Sequence, residues 1–222
     1  MAIPVLIIGK SGSGKSASMK HCVGKGFNLI RVLDKPLPFR GKINGWVYDD
    51  YQMIRKALRA APEKSIIIDD AGYLITNFFM KNHSTKGKGN DVFGLYNQMG
   101  DDFWNLLQNV IIKELPADKI VYIIMHEDTD DYGNIHAKTI GKLLDEKVCI
   151  EGMCTVVLRC VNNLTEHKFI TQSDGSAISK SPEGMFEDVE IPNDLLYVDN
   201  KIREYYGIEN EKNVEREDKK ND

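Results

Sequence analysis

The sequence predicts an α/β fold: a mainly parallel central sheet flanked by helices, with an antiparallel hairpin toward its C-terminal end. Three observations lead there. The short runs Val5-Leu6-Ile7-Ile8, Ser65 to Asp70 and Lys119 to Met125 are almost continuously apolar, the pattern of strands buried on both faces. Segments of helical periodicity lie between them, as parallel neighbours require. Thr155 to Val161 and Lys168 to Thr171 alternate and are rich in β-branched residues, with Asn162-Asn163 near the turn of a hairpin.

In chain order, the first apolar run stops at a glycine-rich turn, and Ser16 to Val23 reads as a helix closing at Gly24 or Gly26. Phe27 to Leu33 is the next strand, completing a βαβ unit. Pro36, Pro38 and Gly41 break the chain, and Trp46-Val47-Tyr48 is a short strand. Tyr51 to Ala61 is helical until Pro62, and Tyr73 to Met80 is helical after the strand at Ser65 to Asp70. Lys81 to Asn90, polar and glycine-containing, reads as a surface loop. Phe93 to Leu115 contains a long amphipathic helix, with Phe103, Leu106, Leu107, Val110 and Ile111 on one face and Pro116 ending it. Leu195 to Tyr206 is the last helix. Residues 1–207 therefore form one domain, and 208–222, nearly all charged or amide-bearing, are read as a disordered tail.

Composition narrows the function. With 29 basic and 33 acidic residues in 222, the net charge of -4 excludes the overall basicity of a constitutive nucleic-acid binder, so any such binding is local. The first apolar run is too short for a signal or a span and no basic leader precedes it, which predicts a cytoplasmic protein without membrane contact. Cys22, Cys149, Cys154 and Cys160 contain no CxxC pair and read as reduced, mostly buried thiols; their irregular spacing, with His167, argues against a zinc cluster.

Gly9-Lys10-Ser11-Gly12-Ser13-Gly14-Lys15-Ser16 satisfies G-x-x-x-x-G-K-[ST], and it lies between a buried strand and a helix, where a phosphate loop must lie. The glycines let backbone N–H groups turn toward phosphate oxygens, and the helix beginning at Ser16-Ala17 adds its positive end. Lys15 is positioned for β- and γ-phosphates and Ser16 for Mg²⁺. Asp69, which terminates Ile66-Ile67-Ile68, is the candidate second metal-side group. Asp70 either orients and deprotonates a water or caps the following helix. Asp34, at the end of the second strand, is a rival for the water or a turn former before Pro36. His126 ends the strand at Lys119 to Met125 on the same sheet edge, either as a γ-phosphate sensor or as a solvated residue.

In this set and order of motifs, the chain resembles the RecA-like P-loop ATPases of phages, particularly the Sak-type single-strand annealing proteins. The resemblance covers most of residues 1–190. It includes the phosphate loop, Ile66-Ile67-Ile68-Asp69, a polar insert before a long helix, a strand ending in His126, Lys138-Thr139-Ile140-Gly141-Lys142-Leu143-Leu144, and Ser179-Lys180-Ser181-Pro182-Glu183-Gly184-Met185-Phe186. It implies a RecA-like core that binds and hydrolyses ATP with Mg²⁺ as a ring or filament, in the host cytoplasm if phage-encoded. Lys180 is then the candidate basic residue reaching a neighbour's site. It also implies single-stranded DNA and a single-strand-binding protein as partners, with Lys81, Lys86 and Lys88 either contacting DNA phosphates or simply solvated; the tail itself reads as a solvated end. Two other uses of the same loop are a small-molecule phosphotransferase of the nucleotide-kinase type, against which the lack of clustered arginines speaks, and a nucleotide-gated assembly or packaging factor. ATP is preferred to GTP because no guanine-reading element is evident.

Overall fold

In the computed structural model, which describes residues 1–86, 91–140, 148–175 and 177–208, the apolar runs become the middle of one eight-stranded sheet. The strands in chain order are β1 (Ile3–Ile8), β2 (Phe27–Arg31), β3 (Asn44–Val47), β4 (Ser65–Asp69), β5 (Ile120–Ile124), β6 (Glu127–Thr129), β7 (Ile135–Ala137), β8 (Val156–Asn162), β9 (His167–Ile170) and β10 (Glu190–Pro192). The sheet order is β10-β9-β8-β1-β5-β4-β2-β3, and β6 and β7 pair separately. The strands from β8 to β3 are mutually parallel, whereas β9 is antiparallel to both of its neighbours. The predicted hairpin is β8–β9, its loop beginning at Asn163.

Strand alternation assigns side chains to two cores. Leu6, Ile8, Ile66, Ile68, Val121 and Ile123 face helices α1 (Tyr51–Ala60), α2 (Gly72–Lys86) and α3 (Asp91–Asn105). Val5, Ile7, Ile67, Tyr122 and Ile124 face the helical turn Ser16–Cys22 and α4 (Leu195–Tyr206), through Met19, Val198 and Ile202. With both faces covered, every residue of β4 and β5 is buried, which is why those strands read as unbroken apolar runs. Asp50 and Asp194 cap α1 and α4 by accepting from the first-turn amides, and Gly207 closes α4 at φ 63°.

Several local expectations are corrected. Ser16–Cys22 is a 3₁₀ helix. The helix expected over Tyr73 to Met80 runs on to Lys86, so Lys81 to Lys86 is helical; Asn82 Nδ2 donates to the Phe78 carbonyl at 2.8 Å within it. The long helix changes register after Asn105 into a π-helix, Leu106–Glu114, with Leu115 N–H donating to Val110. Leu106, Leu107, Val110 and Ile111 stay in the core through this change of register. The β6–β7 hairpin and β10, short and polar, were not expected at all. Among the described residues no helix is long and apolar enough to cross a membrane. The tail beyond Ile208, Lys88 and part of the Lys138 to Leu144 segment lie outside the described residues.

Candidate functional site

The C-terminal edges of β1, β4 and β5 carry the site, because these adjacent parallel strands all end on one edge and the residues that follow them converge there. After β1 the chain turns through Gly9 to Lys15. Gly12 and Gly14 adopt φ of 78° and 102°, open to glycine at little cost. Ser13 N–H donates to the Lys10 carbonyl at 3.2 Å, but no carbonyl among the described residues accepts from the amides of Gly12, Gly14 or Lys15. Adjacent N–H groups left in this way form a concave receptor for an anion.

The loop is held from behind. Cys160 Sγ, on β8, donates to the Ser13 carbonyl at 3.0 Å, and burial pushes this thiol up to about 11, so it keeps its proton. His167 Nδ1, on β9, lies 2.7 Å from the same carbonyl, and Asn193 Nδ2 donates to the Gly14 carbonyl at 3.0 Å. With the carbonyls engaged behind the loop, its amides are left for the front. A Cβ on Gly14 would sit 2.7 Å from both Asn193 Nδ2 and His167 Cγ, at a φ that alanine resists. Gly14→Ala should therefore cost about 1–3 kcal/mol in urea unfolding and weaken phosphate binding with it.

Lys15, 6% exposed, donates from Nζ to the carbonyls of Gly9 at 2.7 Å and Lys10 at 2.8 Å. Burial lowers its pKa. Ser16 Oγ donates to both carboxylate oxygens of Asp69, at 3.0 and 3.1 Å. Asp69 is buried and lies beside Asp70; burial first, and that neighbouring carboxylate second, push it up to about 6. Asp70 holds φ 60°, an uncommon conformation for a residue with a side chain. Its carboxylate forms an ion pair with Lys35, and its other oxygen lies 3.7 Å from His126 Nε2. His126 Nδ1 lies 3.5 Å from Lys15 Nζ, and burial followed by the Lys15 charge lowers this imidazole's pKa, so it is neutral at neutral pH. Tyr73 packs edge-on against its ring at a centroid distance of 6.1 Å.

Lys15, Ser16, Lys35, Asp70 and His126 line one cavity of about 450 Å³, together with Ser11, Ala17, Pro36, Pro38 and His167. The structure thus brings together Lys15, Ser16, Asp70 and His126, with Asp69 behind Ser16. The Asp34 carboxylate is 78% exposed, pairs with Arg31 at 3.5 Å and does not line the cavity; the next residue, Lys35, does. Lys180 bridges Val157 through its backbone, and its charge bears on Cys154, just before β8 begins at the opposite sheet edge, so within one chain it does not join Lys15. Lys81, on α2, pairs with Asp49 at 2.7 Å. Lys86 ends that helix.

The sequence reading missed Lys35, His167 and Asn193 and gave Cys160 no role at the loop. No local signal pointed toward them: Cys160 and His167 reach the loop because β8 pairs with β1 and β9 with β8. The donor set fits a triphosphate with a hard divalent ion: free amides and a lysine for phosphate, and a hydroxyl beside a carboxylate for metal. Comparison with protein-family models and with curated proteins gave no match.

Proposed function

We propose that this protein is a Mg²⁺-dependent ATPase of RecA-like architecture that works on single-stranded DNA as an oligomer, in recombination or annealing. The observation that carries the ATPase part is the Ser16–Asp69 hydrogen bond across two elements, directly beside a phosphate-loop lysine. A hydroxyl and a carboxylate in contact offer oxygen ligands on one side of the loop, while Lys15 and the loop amides offer positive charge on the other. Bound there, Mg²⁺ supplies charge neutralisation at the terminal phosphates.

Strand order supports the same reading. Because β5 lies between β1 and β4, His126 leaves the sheet between the loop and the acids, where a γ-phosphate would sit. Asp70 orients a water for attack on the γ-phosphorus and accepts its proton, while the bond to the departing diphosphate breaks. Lys35, paired with the Asp70 carboxylate, holds it in place. His126, neutral, reads the presence of the terminal phosphate and passes it to the β6–β7 hairpin, whose base it forms through the Lys138 N–H to His126 carbonyl bond of 2.7 Å.

The use on DNA rests on the resemblance and the order of its motifs. Lys180, turned toward the opposite sheet edge, acts only on a neighbouring subunit's site in this scheme. A gel-shift titration with single-stranded DNA, with and without ATP at two salt concentrations, tests the partner: ATP-dependent, salt-sensitive binding supports it, and none at low salt removes it. Phosphate appearing on an added nucleoside monophosphate instead of in water would favour a phosphotransferase.

A pH series tests the metal side. The folded chain keeps a proton on Asp69 between the ordinary carboxylate range and about 6, so this group's contribution to stability falls as pH rises through that window. Mg²⁺ and that proton compete. The Mg²⁺ enhancement of ATP affinity is therefore expected to be full at pH 7.5 and to shrink as pH falls below about 6. Asp69→Asn should abolish the enhancement at every pH in the same calorimetric titrations.

A further inference from the structure

A second cavity, of about 610 Å³, opens beside the phosphate site and shares two of its lining residues, Ala17 and His167. That volume is in the range of small-molecule sites, roughly 300–1,000 Å³. The two residues mark the side on which the cavities meet. Lys15, Asp70 and His126 converge in the phosphate cavity and do not line the second, which suits them to the terminal phosphate.

A triphosphate laid along the loop with its γ end at His126 therefore directs its α end past Ala17 toward the second cavity. The wall there is formed by the far side of the 3₁₀ helix, through His21, and by β10 with the residues after it, through Glu190, Pro192 and Asp194. Its charges are largely mutually satisfied. Lys168 pairs with Glu166 and Glu190 at 3.0 Å each, and His21 Nδ1 lies 2.8 Å from Asp194 Oδ2. Lys20 also lines this wall, so two lysines stand against the three carboxylates of Glu166, Glu190 and Asp194; a largely neutralised wall gives phosphate little pull yet accepts hydrogen bonds from hydroxyl and amino groups. The aromatic rings of His21 and His167 lie along the same surface and offer faces for stacking.

We infer that this cavity is the nucleoside subsite, taking the ribose and base of the bound nucleotide, with His21 as a base-stacking residue and Glu190 as its rim. The inference rests on the phosphate-loop reading above.

Calorimetry with ATP and, separately, with inorganic tripolyphosphate, both with Mg²⁺, tests it on the full chain. His21→Ala removes the ring, and Glu190→Trp fills the cavity from its exposed edge. Both variants are expected to bind ATP about tenfold more weakly, as loss of one stacking contact predicts, and tripolyphosphate as the wild type does. Wild-type ATP affinity in both variants would overturn the subsite, as would equal losses for both ligands or a wild type that binds tripolyphosphate as tightly as ATP. Failure of the phosphate-loop reading looks different: Lys15→Ala would then leave the binding of both ligands untouched.

Discussion

Lys15→Ala is expected to reduce affinity for ATP with Mg²⁺ by about a hundredfold, near 3 kcal/mol, while leaving the fold as stable as before. The two halves of this prediction have separate causes. The ammonium is held inside the loop by the Gly9 and Lys10 carbonyls, so its loss removes a fixed charge that would face a phosphate. The same ammonium is 6% exposed and burial lowers its pKa, meaning that the folded state bears a cost for holding it charged. Losing its bonds to the Gly9 and Lys10 carbonyls offsets the relief of that cost. Calorimetry and urea unfolding on one preparation separate the effects: weakened binding with an unchanged midpoint is the signature of a ligand site and not of a structural lysine.

Asp199→Ala is expected to do the reverse. The Asp199 carboxylate, buried between α4 and the sheet, accepts from Ser65 Oγ at 2.6 Å, Tyr122 Oη at 2.9 Å and Arg203 Nε at 2.8 Å. Arg203, 3% exposed, also donates to Ser65 Oγ at 2.7 Å and to the Asp118 carbonyl at 3.3 Å. Removing the carboxylate leaves a guanidinium buried without its counter-charge and two hydroxyls short of an acceptor, at a cost of about 4 kcal/mol. In a chain of this size that lowers the thermal midpoint by roughly 10 °C. The network lies beneath the sheet, away from Gly9 to Ser16, so the folded fraction should still bind nucleotide normally.

The sheet was legible because its chemistry is repetitive. Val5 to Ile8, Ile66 to Ile68 and Ile120 to Ile124 are buried on both faces, and no other environment calls for such runs of β-branched and aliphatic residues. The glycine-rich turn after β1 and its buried lysine were legible because Gly12, Gly14 and Lys15 stand at one fixed spacing behind an apolar strand. Asp69 followed from its place at the end of a strand.

What was not legible depends on pairings made only in three dimensions. Glu127–Thr129 and Ile135–Ala137 are three-residue strands with too little alternation to announce themselves, and they pair because His126 and Lys138 are tied at their base. Lys81 to Thr85 look like loop residues by composition, yet the helix continues through them, with Thr85 Oγ1 donating back to the Asn82 carbonyl. Asp34 and Lys35 are neighbours before a proline, and nothing local says which one turns inward. Asp70 decides it, since its buried carboxylate at the sheet edge needs a cation. His167 and Asn193 are separated from the loop by most of the chain and reach it because β8 lies beside β1, with β9 and then β10 next in the sheet.

The most direct measurement is a crystal structure with Mg²⁺ and a non-hydrolysable ATP analogue. The phosphates should lie against the amides of Gly12 to Ser16, with the metal beside Ser16 and the terminal phosphate facing Asp70 and His126. A nucleotide bound elsewhere on the chain, or a loop that excludes it at saturating ligand, would contradict the account.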